Sequence, residues 1–339
     1  MNQNNQKVGI SAISHYLPEK IRTSTDIEKL INQNLKPGIT KGSIQRLTGI
    51  KQRYVSVEHE YNSTLAIAAC KKLFAKEKIN PKSVDLLIFA STGQDILEPA
   101  TSHIIQAEIG TSCPVMDITN ACNSFLNALE VAVVFVEAKK YKRILIATGE
   151  VPSKSAKYEI ESRHSLNQYL PGYTFGDAGT AVLITEDPTI ATVKDFMFFA
   201  DSTNWDVAMF PGGGSRFLNK RDAYFFSGDA NSLMQPFFLH TKRLMDEFLT
   251  RNAVAIEQID HVFVHQVAEL FLGKISDQLG IADSKIQVTI KDYGNVAAAS
   301  LPLALDLRMK SAVPPSPGSL GLFIGLAGGV SIGFSLVEF

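Results

Sequence analysis

The chain has 339 residues, a formal net charge of −1 at pH 7 and a hydrophobic content of 45%. This length exceeds that of most single hydrophobic cores, so it predicts two domains or one duplicated domain. The near-neutral charge does not favour nucleic acid or an anionic membrane as the main partner. No apolar run reaches the length of about 18 residues that would predict a membrane span.

The chain contains three cysteines, Cys70, Cys113 and Cys122. The number is odd, and the spacing matches neither CxxC nor a Cys/His metal motif, so we expect no disulfide framework and no structural zinc site. The N-terminal residues are polar and lack the apolar core of a signal peptide. We therefore expect a cytoplasmic protein that uses neither a metal nor a redox cofactor.

Strand-like and helix-like segments alternate along the chain. Apolar runs predict strands over 8–14, 85–90, 115–118, 143–148 and 180–184, and helical spacing predicts helices over 25–33, 63–76 and 124–140. Ser24 or Thr25 is the expected cap of the first helix. The aromatic-rich stretch 195–226 fits neither pattern, and we interpret it as core packing and subunit surface, with the lining of an acyl tunnel as the alternative. The alternation predicts an α/β fold with a largely covered sheet.

Two windows of the chain resemble each other, 76–90 and 251–265. Each contains a helix end, a short connector, an Asp and an apolar strand that leads into a polar loop. This weak repeat predicts two similar halves, 1–188 and 189–339, joined near 187–193. In duplicated α/β folds a site commonly lies between the halves, at the carboxyl ends of strands.

Cys122 is the strongest candidate for a catalytic residue, because it follows an apolar strand directly and precedes a long amphipathic helix. The positive end of a helix dipole favours a thiolate. The free N–H groups of a helix start, including that of Cys122 itself, can also stabilise an oxyanion. Cys70 and Cys113 are interpreted as buried structural residues.

Two residues of the second half could complete a site around Cys122. His265 ends an apolar strand and begins a polar segment, and Asn295 lies in a glycine turn before a helix of small residues. Asn295 is either a turn former or an amide donor to a thioester carbonyl. The glycine-rich turn at 325–333 does not match a phosphate-binding loop, and we expect the N–H of Gly328 to complete the oxyanion hole.

Four further residues are weaker candidates. Glu98 and Glu150 could act as secondary acid–base groups, although a surface or salt-bridged carboxylate is the favoured interpretation of each. Glu98, Phe210 and Leu326 are the candidates for contact with the substrate.

Seven segments together resemble the β-ketoacyl-acyl carrier protein synthase III family of the thiolase superfamily, in the same order and over nearly the whole chain. They are Tyr-Leu-Pro-Glu-Lys at 16–20, Thr-Gly-Ile at 48–50, Ala-Cys-Asn-Ser-Phe at 121–125, Phe-Gly-Asp-Ala-Gly-Thr-Ala-Val at 175–182, His-Gln at 265–266, Gly-Asn-Val-Ala-Ala-Ala-Ser-Leu-Pro-Leu-Ala at 294–304 and the final glycine turn.

The resemblance implies a five-layered αβαβα fold built from two related halves, and a homodimer. It also implies a triad of Cys122, His265 and Asn295. Cys122 would accept an acyl group from coenzyme A or an acyl carrier protein, and the other two would stabilise an enolate made from a malonyl- or β-ketoacyl-thioester. The enolate then attacks the acyl group in a Claisen condensation.

The chain departs from the family at its donor-binding positions. Ser43 and Leu47 stand where housekeeping members carry a Trp and an Arg for the adenine of coenzyme A, though Arg46 is adjacent to Leu47. Val-Ala-Glu-Leu at 267–270 replaces the usual segment after the His. We therefore hypothesise a specialised ketosynthase of secondary metabolism that loads a longer or bulkier acyl chain.

Several alternatives stay open. The acyl-cysteine could serve to make an ester or an amide, or two acyl chains could condense toward an alkylresorcinol- or cyclohexanedione-type product. A catalytically silent subunit is disfavoured because all three triad residues are present. A cysteine hydrolase is disfavoured because its local signatures are missing.

Overall fold

The computed structural model describes residues 7–218 and 220–339. The strands are β1 (Val8–Tyr16), β2 (Ile21–Thr23), β3 (Gln52–Tyr54), β4 (Leu86–Ala90), β5 (Val115–Ile118), β6 (Arg143–Glu150), β7 (Ala178–Glu186), β8 (Ala191–Ala200), β9 (Ala208–Met209), β10 (Ser227–Gly228), β11 (Ile259–Val264), β12 (Leu320–Ala327) and β13 (Ser331–Glu338). The helices are α1 (Ser24–Ile31), α2 (Ser43–Thr48), α3 (Asn62–Glu77), α4 (Thr101–Ile109), α5 (Ser124–Glu137), α6 (Arg163–Tyr169), α7 (Ala230–Arg251), α8 (Glu269–Leu279), α9 (Ile290–Tyr293) and α10 (Ser300–Met309).

All predicted strands and helices are present, with two corrections. The first helix is capped by Thr23, not by Ser24 or Thr25, because Thr23 is the residue with extended backbone, and its side chain accepts a hydrogen bond from the N–H of Asp26 at 3.1 Å. The stretch 195–226 is not irregular throughout. Its first six residues complete β8, which pairs with β13.

Nine strands form one hydrogen-bonded sheet in the order β11-β12-β13-β8-β1-β7-β6-β4-β5. The two arms of this sheet meet where β1 pairs with β8 through Gly9 and Ile10. Parallel pairing joins β4 to β5 and β6 in one arm, and β11 to β12 in the other. The carboxyl ends of these parallel strands therefore lie at one edge of each arm.

The side chains of alternate strand residues enter different cores, because successive residues of a strand face opposite sides of the sheet. In β4, Leu86 and Ile88 pack against α5 and α10, whereas Leu87 and Phe89 pack against α3. In the other arm, Phe263 joins the same central core, while the neighbouring valines of β11 pack against α7 and α8.

The cores thus define five layers: α3 and α4, the β5-to-β1 arm, the central helices α5 and α10, the β8-to-β11 arm, and α7 with α8. This confirms the predicted α/β fold with covered sheets. The windows 76–90 and 251–265 also have the same local structure, a helix end followed by a 3₁₀ turn and by a strand, β4 or β11. The division into halves at residue 188 stays a prediction.

Candidate active site

Cys122 lies in a sharp turn between β5 and α5. Ala121, directly before it, adopts a left-handed backbone conformation with φ 46°, which is rare for a residue with a side chain. The Ser124 hydroxyl holds this turn together, since it donates to the carbonyl of Ala121 at 2.6 Å and accepts from the N–H of Asn120 at 2.8 Å. The turn is also tied to the other arm, because Asn123 donates to the Ser331 hydroxyl at 2.9 Å.

The Cys122 side chain is half-buried, and its environment opposes ionisation. Burial, and secondly the charge of Glu150, raise the pKa of the thiol to about 12. The helix start was expected to favour a thiolate, whereas burial and the neighbouring carboxylate act in the opposite direction. The activation of Cys122 by the helix start stays a prediction.

His265 follows β11 directly and is 2% exposed. Its backbone N–H donates to the carbonyl of Ile324 at 2.9 Å, which continues the parallel pairing of β11 with β12. Both ring nitrogens lack a hydrogen-bond partner among the described residues. Burial lowers the pKa of the ring to about 4, so the imidazole is neutral at pH 7 and can donate one hydrogen bond without carrying charge.

Asn295 is 5% exposed and lies in a turn fixed by β-type pairing to the opposite chain segment. Its N–H donates to the carbonyl of Thr174 at 2.8 Å, and its carbonyl accepts from the N–H of Gly176 at 3.0 Å. The side-chain oxygen accepts from the N–H of Ala297 at 3.0 Å. The amide group is thereby oriented, and within the described part of the chain its Nδ2 has no acceptor.

A buried arginine supports the turn that carries Asn295. Arg53 is fully buried, and its guanidinium donates to the carbonyl of Tyr173 at 3.0 Å and to the Ser24 hydroxyl at 3.2 Å. Its stem fills the space beside Gly176 and Gly294, where an added Cβ would lie 3.0 and 3.1 Å from the Cβ of Arg53. No local pattern in the sequence marks Arg53, since only its proximity to the turn in the folded chain reveals its role.

The elements that carry Cys122 and His265 meet at the carboxyl end of β12. Val264, just before His265, pairs with Ile324, and the next residue of β12 is Gly325. A Cβ placed on Gly325 would lie only 2.0 Å from the side-chain oxygen of Asn123, the residue after Cys122. The residues next to Cys122 and to His265 are therefore joined through the end of β12, at Ile324 and Gly325.

The turn after Asn295 also lies in this region, beside β6 and α5. The 3₁₀ turn Ala297–Ala299 packs against the end of β6 and the start of α5. The backbone amide of Ala298 stabilises the carboxylate of Glu150, whose charge in turn acts on Cys122. The elements bearing the three predicted triad residues thus converge on one region, and the catalytic roles of the three stay predictions.

Glu150, the last residue of β6, is 1% exposed and forms no ion pair with a described residue. The interpretation of this residue as a surface or salt-bridged carboxylate is therefore wrong. Its carboxylate accepts from the N–H of Thr92 at 2.7 Å and from the Thr92 hydroxyl. Burial nevertheless raises the pKa of Glu150 to about 7.

The remaining candidates lie in different surroundings. Glu98 is exposed on the loop that connects β4 to α4, and Phe210 is 48% exposed just after β9. Leu326 is buried in β12 and belongs to the core beneath α7 and α8. Gly328 lies in the turn between β12 and β13, with the carbonyl of Ala208 as its nearest neighbour. A contact of any of these with substrate stays a prediction.

Comparison with known proteins agrees with this architecture. The model of the 3-oxoacyl-[acyl-carrier-protein] synthase III family matches residues 116–202, and the model of its C-terminal part matches residues 249–339. The two matches together span just over half of the chain, and they include the turn of Cys122 as well as His265 and Asn295. The chain belongs to the 3-oxoacyl-[acyl-carrier-protein] synthase III family. It is therefore a member of a family of condensing enzymes.

Relatives of this synthase III chain match it over almost its full length. The β-ketoacyl-[acyl-carrier-protein] synthase III of Chlamydia muridarum is 27% identical, with 98% of this chain and 99% of that protein covered. The enzyme of the same name from Oleidesulfovibrio alaskensis is 28% identical, with 97% and 98% covered.

Solved structures share the fold at lower identity. Cerulenin-bound OleA of Xanthomonas campestris superimposes with a TM-score of 0.89 at 20% identity, and 98% of this chain and 97% of that chain are covered. A cysteine-to-serine variant of the same OleA, with bound lauric acid and lauroyl-CoA, gives a TM-score of 0.88 at 20% identity, with 98% and 99% covered. Other OleA structures carry a replaced histidine or glutamate.

Over residues 7–218 and 220–339, no helix combines the length and apolar character needed to cross a membrane. In the same residues, no cluster of His, Cys, Asp and Glu side chains is arranged to hold a metal ion.

Proposed function

We propose that the protein is an acyltransferase of the cytoplasm that forms a carbon–carbon bond by Claisen condensation. Cys122 accepts an acyl group from a thioester of coenzyme A or of an acyl carrier protein. A malonyl- or β-ketoacyl-thioester then supplies the carbon nucleophile. The observation that carries the proposal is the buried imidazole of His265, whose two ring nitrogens have no hydrogen-bond partner among residues 7–218 and 220–339, on an element that meets the turn of Cys122 in a member of a synthase family.

Neutral donors suit the second half of this reaction. Loss of carbon dioxide from the extender leaves an enolate, whose oxygen needs hydrogen bonds but whose carbon must not be protonated. The imidazole N–H of His265 and the Nδ2 group of Asn295 are such donors, because neither is an acid near pH 7. The enolate carbon then attacks the thioester carbonyl on Cys122, and the sulfur departs.

The donor is proposed to carry a long acyl chain. The departures at Ser43 and Leu47 support this, although Arg46 lies next to Leu47 on the same helix, α2. A similar structure that binds lauroyl-CoA supports the same chemistry here. Condensation of two such chains is the second candidate, because this structural neighbour binds a fatty-acyl thioester.

Intact-protein mass spectrometry tests the proposal. The purified protein is incubated with coenzyme A thioesters from acetyl to lauroyl, and the acyl adduct is located by peptide mapping. We expect an adduct on Cys122 that is absent from Cys122→Ala and retained in Cys113→Ala, since Cys113 is the other partly exposed thiol. An adduct that persists in Cys122→Ala contradicts the assignment of the nucleophile, and a clear preference for the acetyl group contradicts the long-chain donor.

The second half of the reaction is followed by product mass after a malonyl- or β-ketoacyl-thioester is added. Replacing His265 or Asn295 by Ala should preserve acyl loading but slow condensation by about 10²–10³-fold, the usual cost of one lost oxyanion donor. Release of an ester or an amide without a new carbon–carbon bond would instead identify a simple acyltransferase.

A homodimer is part of the proposal. β5 is the last strand of the nine-stranded sheet, so one of its edges has no neighbouring strand among the described residues. The adjacent loop exposes Ile96 and Leu97, at 47% and 62%. Light scattering should give the mass of a dimer, and Leu97→Asp should shift it toward the monomer, whereas Val313→Asp on the distant α10–β12 loop should not. A monomeric wild-type protein contradicts this part.

A further inference from the structure

Gln266 follows His265 directly, and the proposed condensation assigns it no role. It is 1% exposed, and its side-chain amide forms three hydrogen bonds. The Oε1 atom accepts from the N–H of Thr289 at 2.9 Å and from the N–H of Ile290 at 3.0 Å. The Nε2 group donates to the carbonyl of Gln287 at 2.7 Å. Most of the hydrogen-bonding capacity of a glutamine amide is thus used on one short segment of backbone.

The segment that Gln266 binds leads directly to Asn295. Ile290 is the first residue of α9, and the N–H groups at a helix start have no partner inside the helix. α9 is a single turn that ends at Gly294, whose N–H donates to the carbonyl of Ile290 at 3.1 Å and whose φ is 71°. The chain then enters Asn295. Gln266 therefore fixes the start of the turn whose other end carries Asn295.

The backbones of His265 and Asn295 are bonded to different parts of the molecule. The N–H of His265 donates to Ile324 of β12. Asn295 is bonded instead to the segment before β7, through Thr174 at 2.8 Å and Gly176 at 3.0 Å. The position of one side chain relative to the other therefore depends on contacts between the two chain segments that carry them.

Gln266 provides the buried side-chain contact between these segments. The backbone of Gln287 also bonds to β11, since its N–H donates to the carbonyl of Val262 at 3.1 Å. An ion pair at 2.7 Å joins Lys291 of α9 to Glu269 of α8, but these side chains are 53% and 43% exposed. Exposed ion pairs contribute little to stability. The amide of Gln266 is therefore the side-chain link that solvent does not weaken.

We propose that Gln266 is a positioning residue that sets His265 and Asn295 relative to each other, so that both can donate to the enolate oxygen. The inference rests on the proposed function, since it concerns the condensation step. An amide suits this place because it is neutral and can both donate and accept, whereas a carboxylate cannot donate to a carbonyl. Acyl loading of Cys122 precedes the enolate, so loss of Gln266 should affect condensation and not loading.

Gln266→Met tests this split, because it keeps the length of the side chain and removes the three hydrogen bonds. Loading of Cys122 from lauroyl-CoA is followed by intact-protein mass spectrometry, and condensation is followed by product mass after malonyl-CoA is added to the loaded protein. We expect loading at the rate of the wild type. Condensation at saturating malonyl-CoA should be slower by about 10²-fold, as expected for reacting groups misplaced by about 1 Å.

A double variant tests whether Gln266 acts through Asn295. In the Asn295→Ala background, Gln266→Met should slow condensation by less than about tenfold, because the group that it misplaces is already absent. Gln266→Glu keeps the two accepted hydrogen bonds. It should therefore condense about tenfold faster than Gln266→Met and about tenfold slower than the wild type, with loading unchanged. If circular dichroism shows that Gln266→Met is unfolded, the comparison of loading with condensation is made on Gln266→Glu.

Gln278→Met is the matched control for a loss of stability. Gln278 lies in α8, and its Nε2 group donates to the carbonyl of Phe238 in α7. This change also removes a glutamine amide that joins two elements, but it should leave the ratio of the two rates as in the wild type. The proposal is overturned if Gln266→Met slows loading as much as condensation, if it slows neither, or if its effect is undiminished in the Asn295→Ala background.

Failure of the proposed function gives a different result. If the wild type gains no acyl group from lauroyl-CoA, or forms no carbon–carbon bond with malonyl-CoA, the proposed function fails and this inference fails with it. If the wild type performs both steps and Gln266→Met does not separate them, only the role of Gln266 is refuted.

Discussion

Replacement of Gly325 by Ala perturbs the contact that joins the two arms of the sheet at the active site. The added methyl group would lie 2.0 Å from the side-chain oxygen of Asn123 and 3.3 Å from Leu126. Gly325 is buried within β12, so the methyl group cannot turn toward solvent. Asn123 must therefore move, and it is the residue that follows Cys122 and bonds to Ser331.

Two effects should lower the free energy of unfolding of Gly325→Ala. Overpacking of a filled interior typically costs about 1–3 kcal/mol. Loss of the hydrogen bond between Asn123 and Ser331 would leave a buried amide unsatisfied, at about 1–3 kcal/mol. We expect the free energy of unfolding to fall by about 2–6 kcal/mol, and acyl loading of Cys122 to slow because the turn before α5 is displaced.

Urea unfolding measures the first effect and intact-protein mass spectrometry measures the second. Gly273→Ala is the matched control, because nothing lies within 4 Å of its added Cβ and the residue sits inside α8. That change should stabilise the protein by about 0.5–1 kcal/mol, through the higher helix propensity of Ala. The reasoning is refuted if the two variants unfold at the same urea concentration and load acyl groups equally fast.

Three further outcomes are expected. The pKa of Glu150 in the folded protein, about 7, lies above its usual value of 4.5, so the stability linked to its protonation is lost as pH rises through 7. Relative to the wild type, Glu150→Gln should therefore gain stability between pH 5 and pH 8, by up to about 3 kcal/mol in urea unfolding. A difference between the two proteins that stays constant with pH would contradict this. Thr23→Ala should cost about 1 kcal/mol by removing the cap of α1, while Thr25→Ala should cost clearly less, and equal losses would argue against the cap. Phe263→Ala should lower the free energy of unfolding by about 3–5 kcal/mol, whereas Val313→Ala, 67% exposed, should have almost no effect in the same measurement.

Local patterns in the sequence were sufficient for the order of the elements. Strand-like runs such as 85–90 and 143–148 are apolar on both faces, and the structure shows each of them covered by helices on both sides. The N-terminal boundary of the first helix was harder to predict. Thr23, Ser24 and Thr25 can all serve as caps, and the choice depends on which residue leaves the extended pairing of β2 with β3.

The candidate nucleophile was recognisable from the sequence because a cysteine between a strand and a helix is a local arrangement. The environment of that cysteine was not recognisable. Glu150 lies 28 positions further along the chain and appears in the sequence as an ordinary carboxylate at the end of a strand. Its pairing with Ala178 of β7 and its hydrogen bonds from Thr92 become visible only in the folded chain, where it is buried and its charge acts on the thiol.

By itself, the sequence determined the chain order of strands and helices, the turn that presents Cys122 and the segments shared with the synthase III family, since each depends on residues close together in the chain. The tertiary structure decided which of the polar residues are buried and which charges act on one another. By burial it raised the pKa of Cys122 and of Glu150 and lowered the pKa of His265, and it left Glu98 in solvent. The physical reason is that protonation depends on desolvation and on neighbours from distant segments, which are brought together only when the sheet and its helices pack.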